Sequence, residues 1–140
     1  MGLRATDLAV GQTFETVVVD DLKRTQIVQY AGASGDFNPL HTDEVYAREI
    51  AGYPGVFAHG MLTMGLTGRA ITDLVGDGRL LRFGVRFTAQ VWPGDTLTVR
   101  STVKDVSDEV VELDVVTTNQ DGTDVLTGYA AARLDDGRQR

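Results

Sequence analysis

From residue 80 onward the sequence abandons helical spacing for strand-like runs, and no other feature narrows the possible folds as much. Residues 80–91, 96–106, 109–118 and 124–134 are rich in Val, Thr, Leu and Phe. Such residues suit a pleated, half-buried surface. Trp92-Pro93-Gly94-Asp95, Ser107-Asp108 and Gln120-Asp121-Gly122-Thr123 separate the runs with turn chemistry. Four strands joined by short turns predict an antiparallel meander. Residues 13–19, Thr-Phe-Glu-Thr-Val-Val-Val, add an earlier strand.

A sheet of this kind needs a cover on one face. Residues 59–75 supply the most apolar helical segment. It carries Gly60, Gly65 and Gly68, each costing a helix roughly 1 kcal/mol relative to alanine. Three such glycines imply that backbone or ligand approaches closely. Gly76-Asp77-Gly78 ends the segment. A shorter helix is expected over 24–34, with Ile27, Val28, Tyr30 and Ala31 on one face. Another short helix is expected after Thr42, which serves as its N-cap. Strand, helices, then strands give the α+β class in one domain spanning 1–140, with a polar tail from Asp135 to Arg140.

Composition removes several functions. The 140 residues include no cysteine, which excludes disulfides, thiolate metal sites and a Cys nucleophile. A net charge of −7 argues against nucleic acid, which requires a basic face. No apolar run approaches membrane-spanning length, and the start lacks the apolar stretch of a secretory signal. A cytoplasmic protein with no membrane association is expected.

The chemistry concentrates in Gly35-Asp36-Phe37-Asn38-Pro39-Leu40-His41. Pro39 keeps Asn38 out of the helical region, so this is a shaped loop. It places a carboxylate and an imidazole five residues apart. That pair suits proton movement to and from a bound water at neutral pH. Read alone, an Asp and a His in a loop are also compatible with a cap and a structural histidine.

The string resembles the Gly-Asp-x-Asn-Pro-x-His signature of the MaoC-like hydratases and dehydratases, with every fixed position filled. Two further segments match in family order, namely Phe57-Ala58-His59-Gly60-Met61-Leu62, and Val85-Arg86-Phe87-Thr88-Ala89 followed by Pro93-Gly94-Asp95-Thr96-Leu97. Within the family, which comprises (R)-specific enoyl-CoA hydratases and (3R)-hydroxyacyl-ACP dehydratases, the sequence is similar to the catalytic B subunits of the mycobacterial dehydratases.

The resemblance implies a hot-dog fold, in which an antiparallel sheet of about five strands wraps a long central helix. It implies reversible hydration of trans-2-enoyl thioesters to (3R)-3-hydroxyacyl thioesters, with the acyl group on coenzyme A or phosphopantetheine and no cofactor or metal. Asp36 and His41 become the catalytic pair, and the backbone of Gly60 the oxyanion donor. Asn38 is expected to hold the loop. Val56, Phe57, Met61 and Met64 are candidates for the acyl pocket, and Arg86 for a phosphate of the carrier. His59, just before Gly60, is expected to be a satisfied structural histidine, the alternative being that it ties the two motif segments together. Some family members carry a hydroxyl late in the glycine-rich helix. Here Gly65 and Gly68 occupy that stretch, with Thr63 and Thr67 nearby. Expected partners are a second hot-dog subunit, identical or not, and acyl carrier protein. The competing readings are a hot-dog thioesterase and one subunit of a heteromeric dehydratase.

Overall fold

The computed structural model describes residues 2–135. Five strands form one antiparallel sheet: β1 (Thr13–Val19), β2 (Leu80–Phe87), β3 (Leu97–Val106), β4 (Val110–Thr118) and β5 (Asp124–Arg133). Two α-helices precede β2, α1 (Arg24–Ser34) and α2 (Gly60–Val75). Helix α2 lies across one face of the sheet. This is the hot-dog arrangement that the resemblance implied.

Alternation fixes which side of each strand is buried. Val99 and Val103 of β3, with Leu113 and Val115 of β4, point into the core. Leu62, Leu66, Ala70, Ile71 and Val75 of α2 meet them from above, part of a buried arc that takes in more than half of the helix circumference. The intervening sheet positions, such as Arg100 and Asp114, stay in water.

The strand order is β1-β3-β4-β5-β2. Only β3, β4 and β5 form a meander, and this corrects the expected four-stranded one. The first run of the C-terminal half stops at Phe87 rather than 91 and pairs with β5 at the sheet edge. Residues 88–96 are not a hairpin loop but a crossing connection that returns the chain to β3. Trp92-Pro93-Gly94-Asp95 still turns, with the Asp95 N–H on the Trp92 carbonyl.

Two other expectations change. Val28 is 54% exposed, so the apolar face of α1 reduces to Ile27 and Ala31, with Tyr30 half-buried. After Pro39 the chain makes a 3-10 turn at Pro39–His41 and a π-helical turn at Tyr46–Ile50. The side chain that accepts a hydrogen bond from the second of these is Asp43, not the expected Thr42, taking the Tyr46 N–H at 3.1 Å. Asp135 is not part of a free tail, since it bridges Arg4 and pairs with the Arg79 guanidinium. The rest of the expected tail, 136–140, lies outside the described residues.

Candidate active site

Three segments converge at the start of α2. The first is the loop leaving α1, which ends with Gly35 at φ 75°, a left-handed conformation that glycine adopts without strain. Within this loop Asn38 Oδ1 accepts the Leu40 N–H at 3.0 Å, and the Asp36 carboxylate accepts the Asn38 N–H at 3.2 Å. The second is the 3-10 turn that presents His41. The third is the stretch Val56–His59 leading into α2.

His41 is buried, and its Nδ1 sits 2.6 Å from the Phe57 carbonyl oxygen. A carbonyl only accepts, so Nδ1 carries the proton and donates it. The lone pair of neutral His41 is therefore on Nε2. The same reasoning applies to His59, whose Nε2 is 3.0 Å from the Asp36 carbonyl oxygen and must be the donor. The two imidazoles stack with centroids 3.8 Å apart and planes 27° apart. Phe57 packs edge-on against His41, and Tyr30 of α1 against His59.

Burial lowers the His41 pKa from its ordinary value. The Phe57 carbonyl opposes that by favouring the protonated ring, the neighbouring His59 lowers it further, and the Asp36 charge raises it. The net direction is down, so the ring is neutral at neutral pH and Nε2 can accept a proton.

A carboxylate oxygen of Asp36 and one ring nitrogen each of His41 and His59 lie within 4.8 Å of one another. Two acceptors sharing one water at hydrogen-bond distance stand about 4.5 Å apart, so the Asp36–His41 spacing suits a single water. The same spread could describe a metal triad, but the ring geometry does not. Planes this close to parallel meet far beyond the roughly 2.0–2.1 Å of a metal–imidazole bond, so their in-plane lone pairs do not converge on one ion.

Beside this group lies a cavity of about 310 Å³, walled by Phe57, Ala58, Gly60 and Thr63 on one side and Phe87 to Val91 on the other. Ligand sites start at about this volume. Gly60 opens α2, where the first N–H groups have no intrahelical acceptor. A Cβ there would stand 3.1 Å from the Phe87 ring. Gly68 is similarly crowded by Phe83, whereas Gly65 faces open space. Close approach thus explains two of the three glycines.

The structure brings Asp36 and His41 together with His59, the residue before Gly60, with Asn38 shaping the loop and Phe57 and Gly60 in the cavity wall. Val56 is buried in the core behind them. Met61 is 55% exposed and Met64 half-buried, both on the outer side of α2. Arg86 is exposed and points to the sheet face opposite Phe87 and the cavity. Of the two hydroxyls, Thr67 is bound to Thr117 at 2.7 Å, and Thr63 faces the cavity.

Sequence reasoning missed Glu44. It accepts the Val56 N–H and pairs with Arg24 at 2.5 Å and Arg48 at 3.0 Å, tying α1 to the segment before Phe57. The Arg24 hydrogen bond is the main reason its carboxyl lies below the usual carboxylate range. Its partners are up to 20 residues away in sequence, so only the run of charges could have hinted at it.

Comparison with known proteins agrees with this architecture. A 3-hydroxyacyl-thioester dehydratase Y of Mycobacterium tuberculosis is 43% identical over 67 residues, which are 46% of this chain and 23% of that longer protein. The chain therefore spans less than a quarter of that relative's length. The structure of the (R)-hydratase PhaJ1 from Pseudomonas aeruginosa superposes with a TM-score of 0.84 at 31% identity, covering 96% of this chain and 87% of that one. A chain of the ChsH1–ChsH2 complex from M. tuberculosis superposes at 0.78 with 26% identity, covering 91% and 98%. The family model described as "MaoC like domain" matches residues 6–125, and the chain belongs to that family.

Proposed function

We propose that this chain catalyses the reversible addition of water to a trans-2-enoyl thioester, giving a (3R)-3-hydroxyacyl thioester. The observation that carries the reading is the convergence of the Asp36 carboxylate with a ring nitrogen of His41, within 4.8 Å, close enough for both to hold one water. Water attacks C3 as it loses a proton, and C2 gains one. Asp36 orients the water and takes its proton, which passes to the open Nε2 of neutral His41 and from there to C2, so both groups end as they began. The N–H of Gly60, at the positive end of α2, stabilises negative charge developing on the thioester oxygen. The substrate chain follows the Phe57–Gly60 wall. The carrier is coenzyme A or phosphopantetheine. The names of the similar proteins, a thioester dehydratase and an (R)-hydratase, support the same chemistry.

A second subunit belongs to this reading. Strand β2 is a sheet edge with unpaired backbone groups, and edges of this kind are paired or covered in stable proteins. Phe87 and Leu81 on that strand are about half exposed, at 47% and 53%. The similar structure from M. tuberculosis is itself a two-protein complex. The partner is a second hot-dog chain, identical or not. Arg86, away from the cavity in one subunit, is free to meet the carrier phosphate or that partner.

The test is a hydration assay on the purified chain with short and long trans-2-enoyl-CoA, following enoyl absorbance, product chirality and free thiol together. Loss of the enoyl signal without thiol, giving the (3R) product, is the expected result. Thiol release in its place means a thioesterase. Activity that appears only when a second hot-dog protein is added identifies the heteromeric form.

A further inference from the structure

We propose that His59 is a positioning residue for this hydration, holding the Asp36 loop and the His41 imidazole in one fixed relation; the inference rests on the function proposed above. His59 is 2% exposed, although it is polar and borders an open loop. Among the described residues, its Nε2–H supplies the one hydrogen bond that ties Asp36 to anything outside the segment 34–41. The other two contacts of Asp36, from its own N–H to Ser34 Oγ and from its carboxylate to the Asn38 N–H, are local and exposed. They shape the loop but do not fix where it sits.

The opposite job falls to the ring face. Stacked at 3.8 Å on His41, it limits the rotation of an imidazole otherwise held by a single hydrogen bond to Phe57. Tyr30 closes the other side of His59 at 4.8 Å. One side chain therefore touches both members of the catalytic pair, through an edge donor and a face. Among the described residues His59 Nδ1 is buried without a partner. Its position one residue before Gly60 also couples the pair to the start of α2.

Two substitutions separate the edge from the face. His59→Phe keeps a stacking ring and removes the donor. His59→Gln removes the ring and places an amide donor near the position of Nε2. With a trans-2-enoyl-CoA substrate, His59→Phe is expected to lose kcat by roughly 10- to 100-fold, as small misplacements of reacting groups do. Its KM should stay within about twofold, and Gln should restore kcat to within about fivefold of wild type. A second readout needs no substrate. Amide hydrogen exchange at Asn38, Leu40 and His41 should quicken in the Phe variant and return toward wild type in the Gln variant. The proposal is overturned if both variants lose activity equally and in proportion to the fraction folded. It also falls if His59→Phe keeps its kcat, or if loop exchange is the same in all three proteins. A wild-type chain with no hydration activity would count against the proposed function, while the exchange comparison would still decide the role of His59 in holding the loop.

Discussion

Strands β3 to β5 and the loop from Gly35 to His41 are held by different forces. In the sheet, Val99, Val103, Leu113 and Val115 are each about 1% exposed and interlock with α2. Non-directional burial does the work there, at about 25 cal/mol per Å² of apolar surface removed from water. In the other segment Asp36, Phe37 and Asn38 are exposed, and order comes from single hydrogen bonds with named donors and acceptors. The contrast separates two kinds of damage. A change in the sheet weakens the whole fold while leaving the reacting groups aligned in every molecule still folded. A change in the loop segment leaves the fold and removes the alignment.

The largest expected effect tests the loop side. Asp36→Asn cannot take a proton, and His41→Ala removes the open Nε2. Each should cut hydration by about 10²- to 10⁴-fold, the usual contribution of a general acid or base. Because both act on one water, the double variant should be little worse than the worse single one. Circular dichroism should show all three folded. Near-normal hydration by either single variant would remove the proposed site.

On the sheet side, Leu113→Ala should cost about 2–5 kcal/mol in denaturant unfolding, the range for a buried leucine that leaves a cavity. Turnover per folded molecule should match wild type. A loss of turnover among folded molecules would mean that the two regions are not separable as argued.

Gly60→Ala lies between the regions and should have an intermediate effect. Its methyl would stand 3.1 Å from Phe87, a ring 47% exposed and able to give way. Melting should therefore move little, while kcat/KM falls by roughly tenfold, as for a weakened oxyanion donor. Adding Phe87→Ala sharpens the result. Recovery of activity would assign the loss to the displaced ring, and persistence would assign it to the blocked approach to the Gly60 N–H.

The same division governs what the sequence made legible. Alternating Val, Leu and Thr located β3, β4 and β5 to within a residue or two, because period-2 burial is written directly in the residues. The placement of β2 was not legible. A strand of the same composition can pair through a turn or cross to the far edge, and the nine residues from 88 to 96 allow both. Asp36, His41 and Gly60 stood out through their motif, and the structure sets Asp36 near His41 with Gly60 in the wall of the neighbouring cavity. His59 stood out only as a structural histidine and Glu44 did not stand out, since their contacts lie 23 and 12 residues away in sequence. Val28 misled because helical spacing records which residues share a face, not whether anything covers that face.

The smallest effect expected is on pH dependence, and it joins the two regions through one group. The folded pKa of His41 lies below its ordinary 6.5, mainly because the ring is buried, with His59 adding to the shift and Phe57 and Asp36 opposing it. Hydration requires the neutral ring, so kcat/KM should fall on the acid side with a midpoint below 6.5. The stability consequence has the same sign. Between the folded and unfolded values the unfolded chain binds more protons, so stability declines as pH drops through that window and levels off beneath it. His41→Ala should remove this part of the stability slope. Leu113→Ala should shift the whole stability profile downward and leave the slope intact, because it changes burial in the sheet and not the titration of the loop. An activity midpoint at or above 6.5, or a slope unchanged in His41→Ala, would show that burial does not control this imidazole.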